Sequence, residues 1–128
     1  MGARLLRTGR YLFAIPLGLF GIQHLVYAHA PDLVNIPPYT AGSAAAACVY
    51  GIVLFGASVC LVTGGGASFA ALVLGAALAL DFLVIHVPRI VADIGNGNLR
   101  TGGFETLAFA ATAIVLAATL RPPDDQGA

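Results

Sequence analysis

The chain has 128 residues, of which 59% are hydrophobic and only 9% are charged, and its formal net charge is zero. An ordinary soluble domain carries roughly 25% charged residues, so this composition excludes a solvated globular domain. The net charge is zero and no basic run follows the first ten residues, so the basic surface by which proteins bind nucleic acid is not expected. We therefore expect a lipid bilayer, and no nucleic acid, around this chain.

Hydropathy predicts four transmembrane helices. A helix needs about 20 apolar residues to cross a hydrocarbon core of roughly 30 Å, and four segments meet this requirement. Their apolar runs are unbroken and rich in Ala and Leu, whereas a membrane strand would alternate apolar and polar residues. In chain order they are residues 5–27, 41–62, 69–90 and 104–120. The sequence thus predicts an all-α fold, a four-helix transmembrane bundle that forms a single membrane domain over residues 1–128.

The segments between these spans have the composition of turns. Residues 31–40 contain three prolines, residues 63–68 contain three consecutive glycines, and residues 91–103 contain an Asn-Gly-Asn sequence. The first of these loops also carries apolar residues, so we expect it to lie on the membrane surface as a short cap.

The arginines predict the orientation of the chain, which has no lysine. Arg4, Arg7, Arg10 and Arg121 lie on one side of the predicted spans, and Arg89 and Arg100 lie on the other. Because basic residues are more frequent on the cytoplasmic side, both termini are predicted to be cytoplasmic. The basic start and the Ala28-His29-Ala30 sequence imitate a signal peptide. The apolar stretch is longer than a signal core and Pro31 would follow the cut, so we expect a membrane span there.

Ionisable groups within the spans define the candidate site, because such groups are costly in lipid and tend to mark function. They are His24, Asp81 and His86. At about 1.5 Å per residue, both histidines fall near the outer leaflet, and we expect them to converge there. At 100° per residue, Asp81 is rotated by about 140° from His86, which predicts no Asp–His pair within this helix.

Each histidine shares a predicted helix face with small residues, which allow membrane helices to approach closely. The two faces are Leu17, Phe20, Gly21, His24 and Tyr27 on the first helix, and Gly75, Ala79, Phe82, His86 and Arg89 on the third. We expect both histidines to point at neighbouring helices. Glu105, at the predicted start of the fourth helix, is the expected charge partner of Arg89 at the end of the third.

Two interpretations of these groups stay open at this point. One is a pocket for a quinone or another small ligand, with His24 or His86 as hydrogen-bond donor and Arg89 beside them. Its expected walls are Tyr27, Tyr39 and Phe82. The other interpretation is that the polar groups bond across helices and only fix the packing. Haem held by both histidines is disfavoured, because so small a bundle offers little room for a porphyrin.

Other kinds of site find little support. Two histidines and one distant aspartate match no zinc spacing, so no metal site is predicted. Cys48 and Cys60 lie about 18 Å apart on one helix, far beyond the roughly 7 Å limit for a disulfide. No complete catalytic set is visible, and the sequence does not decide whether the protein is an enzyme.

Three short sequence motifs resemble those of the DoxX-like family of small bacterial membrane proteins. They are Phe20-Gly21-Ile22-Gln23-His24, Asn35-Ile36-Pro37-Pro38-Tyr39 and His86-Val87-Pro88-Arg89, and the resemblance spans about residues 10 to 118. It is carried by His24, by the Pro37-Pro38 turn and by His86, Pro88 and Arg89. Tyr39 stands near a position where the family has Trp, and Asp81 is not part of the family pattern.

The resemblance implies a four-helix protein of the bacterial inner membrane, in a family named for members associated with a thiosulfate:quinone oxidoreductase. The resemblance thus implies a location more than a reaction. Our first hypothesis is a redox-associated accessory subunit, with other membrane subunits or further copies of itself as partners. A structural or assembly subunit of a larger membrane complex is the alternative. A small-molecule permease is a third hypothesis, but four spans without visible inverted repeats would have to oligomerise to form a pathway.

Overall fold

The computed structural model describes residues 2–30 and 43–121, apart from the side chain of Ala3. These residues form helices and no strand. The helices are α1 (Gly2–His29), α2 (Ala44–Thr63), α3 (Ala67–Asp81), α4 (Val87–Ala92) and α5 (Gly97–Thr119), with a π-helical turn (Phe82–His86) between α3 and α4. α3, the π-helical turn and α4 run on without a break as one span, Ala67–Ala92, which we call the third span.

Within the described residues, four helical segments are long and apolar enough to cross a membrane. They are Arg4–His29, Ala44–Thr63, the third span and Gly97–Thr119. The predicted all-α fold with four membrane-length helices is confirmed.

The predicted start of the fourth helix at residue 104 is wrong, because α5 begins at Gly97. The side chain of Asn96 caps this helix: its Oδ1 accepts hydrogen bonds from the backbone N–H groups of Asn98 at 3.1 Å and Leu99 at 3.4 Å. Such a cap satisfies N–H groups that have no partner within the helix. The Asn-Gly sequence interpreted as a loop is therefore a helix start.

The contacts of the chain form two compact units, Met1–Ala70 and Ala71–Ala128. In the first unit, α1 and α2 pack with their backbones in contact. A Cβ atom at Gly21 would lie 2.6 Å from the backbone N of Phe55, and one at Gly51 would lie 2.8 Å from the carbonyl O of Gly21. No side chain fits at either glycine. Glycines at the interface are the usual means by which the backbones of membrane helices approach closely.

A buried hydrogen bond also joins α1 to α2. The Ser58 hydroxyl donates to the carbonyl O of Ala14 over 2.7 Å. At its far end α2 stops at Gly64, whose φ of 88° lies in the left-handed region that favours glycine. The predicted turn at the three consecutive glycines is confirmed.

In the second unit, the third span packs against α5. A Cβ atom at Gly75 would lie 2.8 Å from Cγ1 of Ile114, and one at Gly103 would lie 2.7 Å from Cδ1 of Ile90. Both glycines therefore sit at close approaches of the two helices, but here the nearest atoms belong to side chains.

Candidate functional site

His24 is a buried histidine of which only one ring nitrogen has a partner. Its Nδ1 lies 2.8 Å from the carbonyl O of Phe20, one turn earlier on α1, and its ring meets that of Tyr50 on α2 edge-on, with centroids 5.1 Å apart. The residue is 8% exposed. Its Nε2 is buried and has no hydrogen-bond partner within the described part of the chain. A carbonyl only accepts, so Nδ1 carries the proton of the neutral ring and Nε2 is an acceptor without a donor.

His29 provides an internal reference for this arrangement. Its Nδ1 also lies 2.8 Å from the carbonyl O four residues earlier, that of Leu25. His29, however, is exposed. The bond to the preceding turn is therefore a local feature of histidine on this helix, and burial of Nε2 distinguishes His24.

In the second unit, the π-helical turn changes the register of the third span. The backbone N–H of Val87 donates to the carbonyl O of Phe82, which lies five residues earlier, whereas in an α-helix the acceptor lies four residues earlier. This turn therefore contains one residue more than an α-helical turn, and Asp81 and His86 lie on the same face of the third span. The Oδ2 of Asp81 is 3.5 Å from the Nε2 of His86. The prediction that these two residues do not pair is wrong, because it assumed 100° per residue throughout.

Thr106 of α5 completes the surroundings of His86. Its hydroxyl donates to the carbonyl O of Gly102 over 2.9 Å, and its Oγ1 lies 3.2 Å from the Nε2 of His86. Since the single hydroxyl hydrogen points at Gly102, the imidazole N–H is the donor to Thr106. His86 is only 7% exposed. Thr106 and Asp81 supply polar partners for its Nε2 from within the protein.

The remaining predicted site residues are distributed over the two units. Tyr27 on α1, Phe82 at the start of the π-helical turn and Arg89 on α4 are half-buried. Tyr39 and the Pro37-Pro38 turn lie outside the described residues, as does the predicted membrane-surface cap. The convergence of His24 with His86 stays a prediction.

Two details of the predicted helix faces need correction. On α1, Leu17, Gly21 and His24 are buried, but Phe20 is 46% exposed. Glu105 is exposed and lies two turns inside α5. Because α5 starts at Gly97, the helix-start position that suggested an ion pair between Glu105 and Arg89 was wrong.

Sequence reasoning missed two contributors, Tyr50 and Thr106. Tyr50 is a single polar residue in an apolar run, and Thr106 follows the charged Glu105. The role of each depends on which residue faces it from the neighbouring helix. Among the described residues, no group of three His, Cys, Asp or Glu side chains could hold a metal ion. Cys48 and Cys60 are both free.

The four membrane-length helices, with large apolar side chains exposed along each of them, define an integral membrane protein surrounded by lipid. Comparisons of the chain with family models, with curated proteins and with solved structures find no match. The DoxX-like resemblance therefore stays a prediction from the sequence.

Proposed function

We propose that this protein is an accessory subunit of a bacterial membrane redox system and that it binds a quinone-type ligand near the outer leaflet. We place it in the inner membrane with both termini in the cytoplasm. The observation that carries the proposal is the buried Nε2 of His24, which has no partner in the described part of the chain.

A buried acceptor without a donor is costly. Leaving such a group unsatisfied costs about 1–3 kcal/mol, and the hydrocarbon core holds no water to satisfy it. Packing explains the Nδ1 of His24, which bonds to Phe20, but it does not explain Nε2. A bound ligand would supply the missing partner.

The surroundings of His24 suit an aromatic ligand. Small-molecule sites are mostly apolar and aromatic, with a few polar groups that fix orientation. His24 supplies such a polar group, and Tyr50 supplies an aromatic ring in contact with it. The DoxX-like motifs, which include His24, point to quinone-linked redox chemistry. With no complete catalytic set in the sequence, we assign the chain an accessory role.

A structural or assembly subunit is the second candidate, and His86 favours it. Its Nε2 lies within reach of Thr106 and Asp81, so packing alone accounts for this buried histidine. If His24 were satisfied in a comparable way by a partner subunit, no small ligand would be needed.

Purification in mild detergent separates these functions. Bound lipids are extracted and assayed for quinone, and a visible spectrum is recorded, for the wild type, His24→Leu and the matched control His29→Leu. We expect a quinone-type ligand, in its oxidised or reduced form, to co-purify with the wild type and with His29→Leu but not with His24→Leu. Stoichiometric protein partners without quinone would support the structural candidate, and a Soret band would indicate haem instead.

The proposed orientation has its own test. Reporter fusions at the two ends should both report the cytoplasm, because four spans return the chain to its starting side. Opposite locations of the two ends would contradict the four-span topology.

A further inference from the structure

We infer that His24 accepts a hydrogen bond from a ring hydroxyl, so that this site binds the reduced, hydroquinone form of its ligand in preference to the quinone. This inference rests on the proposed function and names the redox form that the site selects. It reverses the donor role that the sequence suggested for this histidine.

The bond between His24 and the preceding turn fixes the tautomer of this histidine. Its Nδ1 lies 2.8 Å from the carbonyl O of Phe20, and a carbonyl oxygen has no hydrogen to donate. The proton of the neutral ring is therefore on Nδ1, and Nε2 presents a lone pair. The same bond in His29, with Leu25 as acceptor, shows that this helix holds a histidine in one tautomer by local geometry.

The lone pair on the Nε2 of His24 discriminates between the two redox forms of a ligand. A hydroquinone hydroxyl donates to Nε2 and satisfies it. A quinone carbonyl would bring a second lone pair against Nε2, and no bond would form. For Nε2 to donate, the ring must either take up a second proton, which puts a charge in an 8% exposed position, or give up its bond to Phe20. Both routes cost free energy that the hydroxyl avoids.

A metal ion is the other kind of partner that a histidine lone pair can take, and histidine ligands often bond to a backbone carbonyl through the second nitrogen. A metal site needs several ligands, and the described residues contain no group of three His, Cys, Asp or Glu that could supply them. A hydroxyl needs one acceptor. His24 therefore fits a hydroxyl better than a metal ion.

The consequence is a shifted redox equilibrium for the bound ligand. A site that binds the reduced form tenfold more tightly raises the midpoint potential of a two-electron couple by about 30 mV. A single hydrogen bond of ordinary strength corresponds to about a tenfold difference in Kd.

The test uses the full chain in detergent and three compounds that share one tetramethyl-substituted ring. The hydroquinone is kept reduced under anaerobic conditions, and the quinone and the hydroquinone dimethyl ether, which has no hydroxyl, are measured alongside it. We expect the Kd of the hydroquinone to be about tenfold lower than that of either other compound. His24→Leu should remove this difference, and His29→Leu should keep it.

Each outcome decides something. If the quinone binds as tightly as the hydroquinone or more tightly, the inference fails while the proposed function stands. If none of the three compounds binds, both fail. Equal binding of the hydroquinone and its ether would also overturn the inference. The comparison of the three compounds on the wild type remains decisive even if His24→Leu does not fold.

Discussion

The two helical pairs of this protein each bury one histidine, and the two histidines differ in the hydrogen-bond partners of their ring nitrogens. In the α1–α2 pair, His24 bonds to its own helix through Nδ1 and leaves Nε2 without a partner among the described residues. In the pair formed by the third span and α5, the Nε2 of His86 lies between Thr106 and Asp81. Burial of a histidine in a membrane helix therefore does not by itself separate a ligand site from a packing contact. What separates them is whether a buried ring nitrogen lacks a partner, as the Nε2 of His24 does among the described residues.

The pairs also differ in how their helices approach. In the α1–α2 pair, Gly21 and Gly51 bring the two backbones into contact. In the second pair, the atom nearest a Cβ at Gly103 is Cδ1 of Ile90, the end of a flexible side chain. We expect substitutions to be tolerated less well in the first pair.

The largest expected effect concerns the register of the second pair. Inserting one alanine after Val84 rotates Asp81 away from His86 by about 100°. We expect the free energy of unfolding in micelles to fall by about 3 kcal/mol, since the half-buried carboxylate of Asp81 loses its contact with His86 and a hydrogen bond to a charged group contributes up to about this much.

Deletion of Val84, which is 63% exposed, is the matched control. It removes the extra residue of the π-helical turn and leaves Asp81 and His86 four residues apart, where an α-helix also brings them together. We expect a loss below about 1.5 kcal/mol, measured by circular dichroism during denaturation. A deletion as harmful as the insertion would show that the π-helical turn itself, and not the pairing, is what stability requires.

The next effect tests the backbone contact of the first pair. Gly21→Ala places a methyl group against the backbone of α2 and should lower stability by about 2 kcal/mol, because overfilled packing typically costs this much. Gly56→Ala is the control, since a Cβ there meets nothing within 4 Å. Gly103→Ala should cost less than about 1 kcal/mol, because Ile90 can move. Equal losses at Gly21 and Gly103 would remove the distinction between the pairs.

The two histidines give a smaller contrast in ligand-free protein. His86→Leu leaves the half-buried side chains of Asp81 and Thr106 with one partner fewer and should cost about 2 kcal/mol. His24→Leu gives up one bond within α1 but also removes an unsatisfied acceptor, so its stability should stay within about 0.5 kcal/mol of wild type. A loss at His24 as large as that at His86 would indicate a packing role for both.

The smallest expected effect is that of Thr106→Val, which removes the acceptor of the His86 N–H. Hydrogen bonds between membrane helices contribute about 0.6 kcal/mol on average, and we expect a loss of this size. Thr112→Val is the control, because the exposed Thr112 bonds only to its own helix, at the carbonyl O of Ala108. Equal stabilities of the two variants would argue against the contact between Thr106 and His86.

Much of the fold could be predicted from the sequence, because a membrane-length apolar run is a strong signal. The start of α5 could not be predicted. Its first two turns contain Gly97, Asn98, Gly102 and Gly103 and have the composition of a loop. In the structure this segment is helical from Gly97, and the side chain of Asn96 caps it.

The candidate site was predictable in part. The placement of His24 beside the small residue Gly21 correctly predicts a buried histidine. The pairing of Asp81 with His86 was missed, because the prediction used a constant rotation per residue. The residue types in Phe82–His86 do not indicate a π-helical turn. The partners Tyr50 and Thr106 depend on contacts between helices, which a single sequence does not encode in any local pattern.

The turn between α4 and α5 bears on how the chain enters its membrane during synthesis. It is short and closed by hydrogen bonds from Asn96 to Asp93, backbone to backbone at 3.1 Å and side chain to side chain at 3.3 Å. An aspartate near the middle of a lone inserting helix, such as Asp81, adds about 2.5–3.5 kcal/mol to the cost of insertion. Because α5 follows the third span after so few residues, the two helices can leave the insertion machinery as a hairpin. Asp81 and His86 then reach lipid together with Thr106, so the order of synthesis shields the ionisable pair within the third span.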